Sequence, residues 1–255
     1  MNIRAEFACY DLSVESQTWI VNGSEYENVI ASYQLDKINR LIVGAHYDVC
    51  GDQPGADDNA SGVAGLLETA RMIAAHKPNL DFRIDFVAYN LEESPYFATD
   101  HMGSYVHARS LSEANIPVMG MICYEMIGYF SEQSGSQSIP LPELQGLFPS
   151  VGNFIVVVGL EEQKAFSNRI YKAMKSGANL DVQQFNYPLQ DELSDLSDHR
   201  SYWTFGYNAV MINDTSFLRN PRYHEVTDTI ETLDFAKMAE VVNGCYCAIL
   251  DLNNL

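Results

Sequence analysis

The sequence predicts an α/β fold, a central sheet flanked by helices within one domain spanning residues 1–255. Three observations predict it. A chain of 255 residues suits one large domain and is short for two with a linker. Its hydrophobic fraction of 47% supports a sizeable core. Apolar strand-like runs alternate with helical patterns, without internal repeats or low-complexity tracts.

In chain order, the first strand is expected at 40–45 (RLIVGA), followed by a helix at 61–76. In that helix Val63, Leu66, Leu67, Ala70, Ile73 and Ala74 recur at helical spacing and form a core face. A second strand at 81–89 (DFRIDFVAY), a helix at 103–114 and a third strand at 118–124 (VMGMICY) follow. Residues 131–150 (SEQSGSQSIPLPELQGLFPS) are too long and too rich in Ser and Pro for an ordinary connection, and are expected to form a functional loop or lid. No domain boundary is placed there, because a strand at 154–158 (FIVVV) comes next. A helix at 161–176, a strand at 208–212 (NAVMI) and a helix at 234–250 complete the pattern.

The formal charge of −19 repels nucleic acid and anionic membrane surfaces, so neither is an expected partner. No apolar run is long enough for a transmembrane helix. The start, MNIRAEFACYDLS, lacks the apolar core of a signal peptide, so the expected compartment stays open: cytoplasmic for the sequence as it stands, exported if a leader has been trimmed. The five Cys (Cys9, Cys50, Cys123, Cys245 and Cys247) have no zinc-ribbon spacing and read as free thiols of a reducing compartment.

The chemistry gathers at strand ends. The first strand runs into His46 and Asp48, the second into Glu92–Glu93, the third into Glu125, and the last leads on to Tyr223–His224. In open α/β sheets, ligands bind in the crevice beyond the carboxyl ends of the strands. Asp57 and Asp58 sit just before the helix at 61–76. Taken singly, each feature has a plain structural reading: a hydrogen-bonded His, a solvated acidic pair, a helix cap. Together they would repel one another, and no Lys or Arg lies between Tyr47 and Glu68. A divalent cation, or two, is the simplest source of the missing positive charge. Two His with several carboxylates and no Cys suit Zn²⁺, with Mn²⁺ or Co²⁺ as alternatives. Two ions about 3.5–4 Å apart would activate water and polarise a carbonyl, as in a hydrolase.

The ordered set GAHYD, GADDNASG, EE, EMIG, SDH and YHEVTDT, running from about Glu27 to the end, resembles the M28 zinc peptidases, the two-zinc aminopeptidases with a mixed, mostly parallel sheet. The resemblance implies two zinc ions and hydrolysis of a terminal peptide bond in a peptide or small amide. It implies His46 as a ligand of one metal, with Asp48 orienting its imidazole, and Asp58 as the bridging carboxylate, followed by a cis peptide to Asn59. It further implies Glu92 as general base, Glu93 and His224 as ligands of the second metal with Asp228 supporting His224, and Ser197 near the developing oxyanion. Glu125 stands where most of the family has Asp; a subset with EMIGY looks closest, and there Glu is normal. The insertion SPYFATDHM follows the acidic pair, with His101 as an extra ligand candidate.

Three rival readings remain at this stage. The single-zinc glutaminyl cyclases resemble the same fold and carry out acyl transfer. A non-catalytic metal- or peptide-binding module would need a missing ligand or base, and none is missing. A carboxypeptidase would use Arg200, Arg219 and Arg222 to clamp a terminal carboxylate. An aminopeptidase is the favoured expectation, because an acidic surface suits a cationic peptide N-terminus.

Overall fold

The computed structural model of the chain describes residues 2–139, 142–190 and 194–253. A short helix α1 (Ile3–Cys9) leads into the hairpin of β1 (Ser13–Val21) and β2 (Ser24–Tyr33). Then come β3 (Arg40–His46), α2 (Gly62–His76), β4 (Arg83–Tyr89), α3 (Gly103–Glu113) and β5 (Val118–Glu125). The second half holds β6 (Phe154–Leu160), α4 (Lys164–Gly177), β7 (Asp181–Tyr187), α5 (His199–Thr204), β8 (Ala209–Asn213) and α6 (Phe235–Leu252).

The eight strands form one sheet in the order β1-β2-β4-β3-β5-β8-β6-β7. Pairings β4/β3, β3/β5, β5/β8 and β6/β7 are parallel, and β1/β2, β2/β4 and β6/β8 antiparallel, so the sheet is mixed and mostly parallel, as expected. Helices cover both faces. Leu41 and Val43 of β3 pack in one apolar cluster with Leu66, Ile73 and Ile249, while Ile42 faces the other with Tyr89 and Trp203. A strand buried on both faces reads as a continuous apolar run, which is why RLIVGA was visible in the sequence.

Three strands escaped the sequence reading. β1 and β2 are joined by Asn22–Gly23, with φ of 53° and 84°, a turn matched to the twist of a hairpin. The Asn-Gly pair was the available signal; the flanking SVESQTWIV is too polar to look like an apolar run. β7 (DVQQFNY) lies at the opposite edge and is also largely polar. The expected helix at 161–176 begins instead with a 3₁₀ turn, Glu161–Gln163, and Asp234 proves to be the cap of α6, accepting from the Lys237 N–H. Asp57 and Asp58 do not cap α2; they lie in a wide turn, Ala56–Ser61, that precedes it.

Residues 140 and 141 of the expected lid lie outside the described residues. Around them the segment is anchored by backbone hydrogen bonds from Ser131 to Gly152, Gln137 to Ser150 and Ser138 to Leu218. Among the described residues no helix is long and apolar enough to cross a membrane.

Candidate metal centre

β3, β4 and β5 run parallel and end side by side, so His46, the Glu92–Glu93 pair and Glu125 emerge at one edge of the sheet. The wide turn before α2 brings Asp58 to the same place. Gly55 opens that turn at φ 60°, and a Cβ there would lie 2.6 Å from the Asp58 carbonyl oxygen. The Asp58–Asn59 peptide is cis.

Asp58 sits between two imidazoles. Its Oδ1 is 3.4 Å from His46 Nε2 and its Oδ2 is 3.1 Å from His224 Nε2. His46 Nε2 also lies 3.2 Å from Glu125 Oε2 and 3.9 Å from Glu92 Oε2, while His224 Nε2 lies 3.4 Å from Glu93 Oε2. The ligand atoms of His46, Asp58 and Glu125 all fall within 4.8 Å of one another. Asp58 therefore belongs to one triad with His46 and Glu125, while its other oxygen faces His224, which in turn faces Glu93.

The carboxylates are buried, at 5–7% exposure for Asp58, Glu92, Glu93 and Glu125. Burial pushes Glu92 well above the usual carboxylate range against the opposing pull of His46, with Glu125, Asp198 and Glu93 adding to the rise. Burial also raises Glu125, and with the Asp58 charge lifts Glu93 to about 7. For Asp58 burial is outweighed by hydrogen bonds from His224 and His46, which hold it at about 2. Burial would lower His46, but Glu125, Glu92 and its bonds to Asp48 and Asp58 raise it well above the ordinary range.

The supporting residues differ in part from the expectation. His46 Nδ1 approaches the Asp48 carbonyl at 3.2 Å more closely than the Asp48 carboxylate at 3.6 Å. That carboxylate instead accepts the Glu92 and Glu93 N–H groups at 3.1 and 3.0 Å, fixing the acidic pair. Asp228 does not reach His224. It accepts the N–H groups of Asp57 and Asp58 and so holds the turn that carries Asp58. Ser197 donates to Glu125 Oε2 at 2.6 Å, so its hydroxyl is engaged by a carboxylate rather than open to an oxyanion.

Two expectations are not assembled. His101 lies half-exposed beside Asp100 and edge-on to Tyr96, in none of the ligand groups among the described residues. No carboxylate clamp forms: Arg200 pairs with Asp195, Arg219 is buried against Gln137 and the Phe154 carbonyl, and Arg222 lies over Tyr129. Sequence reasoning also passed over Asp198, fully buried and pushed up to about 7 mainly by that burial. Its position inside SDH, beside Ser197, was the available signal.

The donor set fits a divalent cation. Among the described residues no Lys or Arg forms an ion pair with Asp58, Glu92, Glu93 or Glu125, and Glu93 Oε1 is buried without a hydrogen-bond partner. Such a group is costly unless a partner arrives. Mixed imidazole and carboxylate donors are those of zinc, better than those of an all-oxygen Mg²⁺ or Ca²⁺ cage.

An α/β sheet with overlapping imidazole–carboxylate triads at its carboxyl edge has the donor geometry of a metallohydrolase centre. The family model "Peptidase family M28" matches residues 28–246. This chain belongs to peptidase family M28. It is 42% identical over 250 residues to "Uncharacterized protein YfbL" of Escherichia coli, covering 95% of this chain and 76% of that protein. A "Probable leucine aminopeptidase" of Trichophyton verrucosum is 28% identical over 233 residues, covering 87% of this chain, which spans 56% of that protein's length. Among solved structures, Legionella pneumophila LapA aminopeptidase matches with a TM-score of 0.75 at 20% identity, over 99% of this chain and 63% of its own. Porphyromonas gingivalis glutaminyl cyclase matches with a TM-score of 0.72 at 19% identity, over 98% and 88%. At these identities the two structures share the fold.

Proposed function

We propose that this chain is a zinc-dependent aminopeptidase with two ions per chain, one held by His46, Asp58 and Glu125 and the other by Asp58, Glu93 and His224. The observation that carries the reading is Asp58, whose two carboxylate oxygens each face a different imidazole, with Glu92 beside them. The likeness to a leucine aminopeptidase in sequence supports the same reaction class.

Zinc, when bound, supplies a Lewis acid for the scissile carbonyl and lowers the pKa of water. Glu92 takes the proton of the attacking water and returns it to the leaving amine. Its buried carboxylate, placed beside the ligand cluster 3.9 Å from His46, is suited to both transfers. Asp48 holds Glu92 and Glu93 through their N–H groups, and Ser197 fixes the rotamer of Glu125. Glu92→Gln should lower kcat by about 10²–10⁴-fold with metal content unchanged; near-full turnover would remove Glu92 from the mechanism.

A cavity of about 430 Å³ opens beside these residues. Asp58, Glu92, Glu93 and Glu125 line one end, and Phe97, Phe154, Val156, Val158, Phe185 and Met211 line the walls. The apolar walls take a hydrophobic side chain, and the acidic end favours the α-ammonium of a peptide. Ile139, Leu144 and Phe148 of the 131–150 segment also line it, which supports a lid that shapes the substrate site. With Arg200 and Arg219 engaged elsewhere, the carboxypeptidase reading loses its clamp. Cleavage of a C-amidated peptide, and none of its N-acetylated counterpart, is the expected result; the reverse pattern would overturn the direction. Pyroglutamate formation from an N-terminal Gln peptide by a one-zinc protein would place the chain with the cyclases instead.

A further inference from the structure

We propose that Cys50 is a thiolate ligand of the second zinc ion, completing a four-donor set with Asp58, Glu93 and His224. The inference rests on the two-ion reading above and adds a ligand type to it.

The sequence treats Cys50 as one of five unremarkable thiols, yet the fold separates it from the rest. The Cys50 sulfur, a Glu93 carboxylate oxygen and a His224 ring nitrogen all lie within 4.8 Å of one another. None of the other four cysteines belongs to such a group among the described residues. Cys50 is free and half-buried, in the loop between His46 and the turn that carries Asp58. Gly51 follows at φ 60°, and Gln53, three residues on, donates to the His224 carbonyl at 2.9 Å. The loop that carries the thiol is therefore tied to the residue that carries the imidazole.

The independent sign that a ligand belongs at this spot is Glu93. Its side chain is buried, with 8% of it exposed, and Oε1 has no hydrogen-bond partner among the described residues. Neighbouring donors on a tetrahedral zinc ion, with bonds of about 2.0–2.3 Å, are separated by roughly 3.5 Å. His224 Nε2 already lies 3.4 Å from Glu93 Oε2 and 3.1 Å from Asp58 Oδ2, close to that spacing, and the Cys50 sulfur lies within 4.8 Å of a Glu93 oxygen and a His224 ring nitrogen.

On coordination the thiol releases its proton to solvent and the sulfur donates a lone pair to the ion, with no change of oxidation state. A thiolate alongside two carboxylates makes this subsite electron-rich and softer than the one at His46 and Glu125. Soft donors favour Zn²⁺ and Cd²⁺ over Mn²⁺. The two ions would thus be unequal: one tightly held and weakly acidic, the other, facing Glu92, the stronger Lewis acid.

The test uses the full chain, stripped of metal and titrated with Co²⁺ and then Zn²⁺, as wild type, Cys50→Ser and Cys50→Ala. The expected wild-type result is a near-ultraviolet sulfur-to-cobalt charge-transfer band, lost in both variants. One of two binding events should weaken about 10-fold or more in each variant. In a Cys9→Ser background, zinc should also protect Cys50 from alkylation. Two ions bound with no charge-transfer band and unchanged affinity in the variants would overturn the thiolate while leaving the two-ion reading intact. Failure of the wild type to bind any ion would overturn both.

Discussion

The two ends of the same parallel strands hold buried carboxylates under opposite conditions. At the amino end of β4, Asp85 is 1% exposed and fully matched. Arg40 Nη1 lies 3.0 Å from its Oδ2, Arg83 Nε 2.5 Å from its Oδ1, and Ser32 donates at 2.6 Å. At the carboxyl end, Asp58, Glu92, Glu93 and Glu125 are nearly as buried, but among the described residues the imidazoles of His46 and His224 are the only basic groups paired with them. A buried carboxylate that serves the fold carries its counter-charge within the chain. A cluster left short of counter-charge is completed by a cation from outside.

Metal removal should break the carboxyl end most. Chelation is expected to abolish peptide hydrolysis and to lower unfolding stability by about 4 kcal/mol for each ion held at 1,000 times its Kd. Differential scanning calorimetry with and without zinc checks this, and an unchanged Tm would contradict it. Asp85→Ala tests the other end. It strands Arg40 and Arg83 beside a buried gap and should cost about 3–5 kcal/mol in urea unfolding, without altering metal stoichiometry.

A pH experiment sharpens the contrast at the amino end. His107 is buried, accepts or donates a 2.6 Å hydrogen bond with the Tyr202 hydroxyl, and is pushed down to about 4 mainly by burial. Its ordinary value is 6.5, so between about pH 6.5 and 4 the unfolded chain takes up a proton that the folded chain refuses. Stability is therefore expected to be full above that window and to fall within it, by roughly 3 kcal/mol for this residue. His107→Gln should remove that part of the slope, measured as the difference in urea unfolding between pH 7.5 and pH 4.5. The smallest effect carries the opposite sign to that of Asp85→Ala. In the metal-free protein, Glu125→Gln removes one of the self-repelling charges and should stabilise by about 1 kcal/mol, whereas with zinc present it should destabilise. Destabilisation in both states would mean that the cluster is already balanced without a cation.

The parts of the molecule differ in how readily the sequence reveals them. β3, β5 and β6 are buried on both faces, so composition alone marks them; the edge strands β1 and β7 bury little, and their polar residues hide them. His46, Asp58, Glu92, Glu93, Glu125 and His224 stood out as acidic or imidazole groups at the ends of apolar runs, and the fold gathers all six. What they rest on was not visible. Asp228 and Asp57 are 171 residues apart along the chain, and Ser197 and Glu125 are 72 apart. Nothing in local periodicity links such pairs.

By itself the sequence determined the α/β class, the strands that form the centre of the sheet, and the inventory of charged donors with too few cations of their own. Those follow from hydrophobic spacing and charge count, which are local properties of the chain. Only the tertiary structure decided which partner each donor meets: Asp48 on the acidic pair rather than chiefly on His46, Asp228 on the turn of Asp58, Ser197 on Glu125, and Cys50 beside Glu93 and His224. Hydrogen bonds and ligation act over about 3 Å, and only the folded chain brings residues so far apart in sequence to that range.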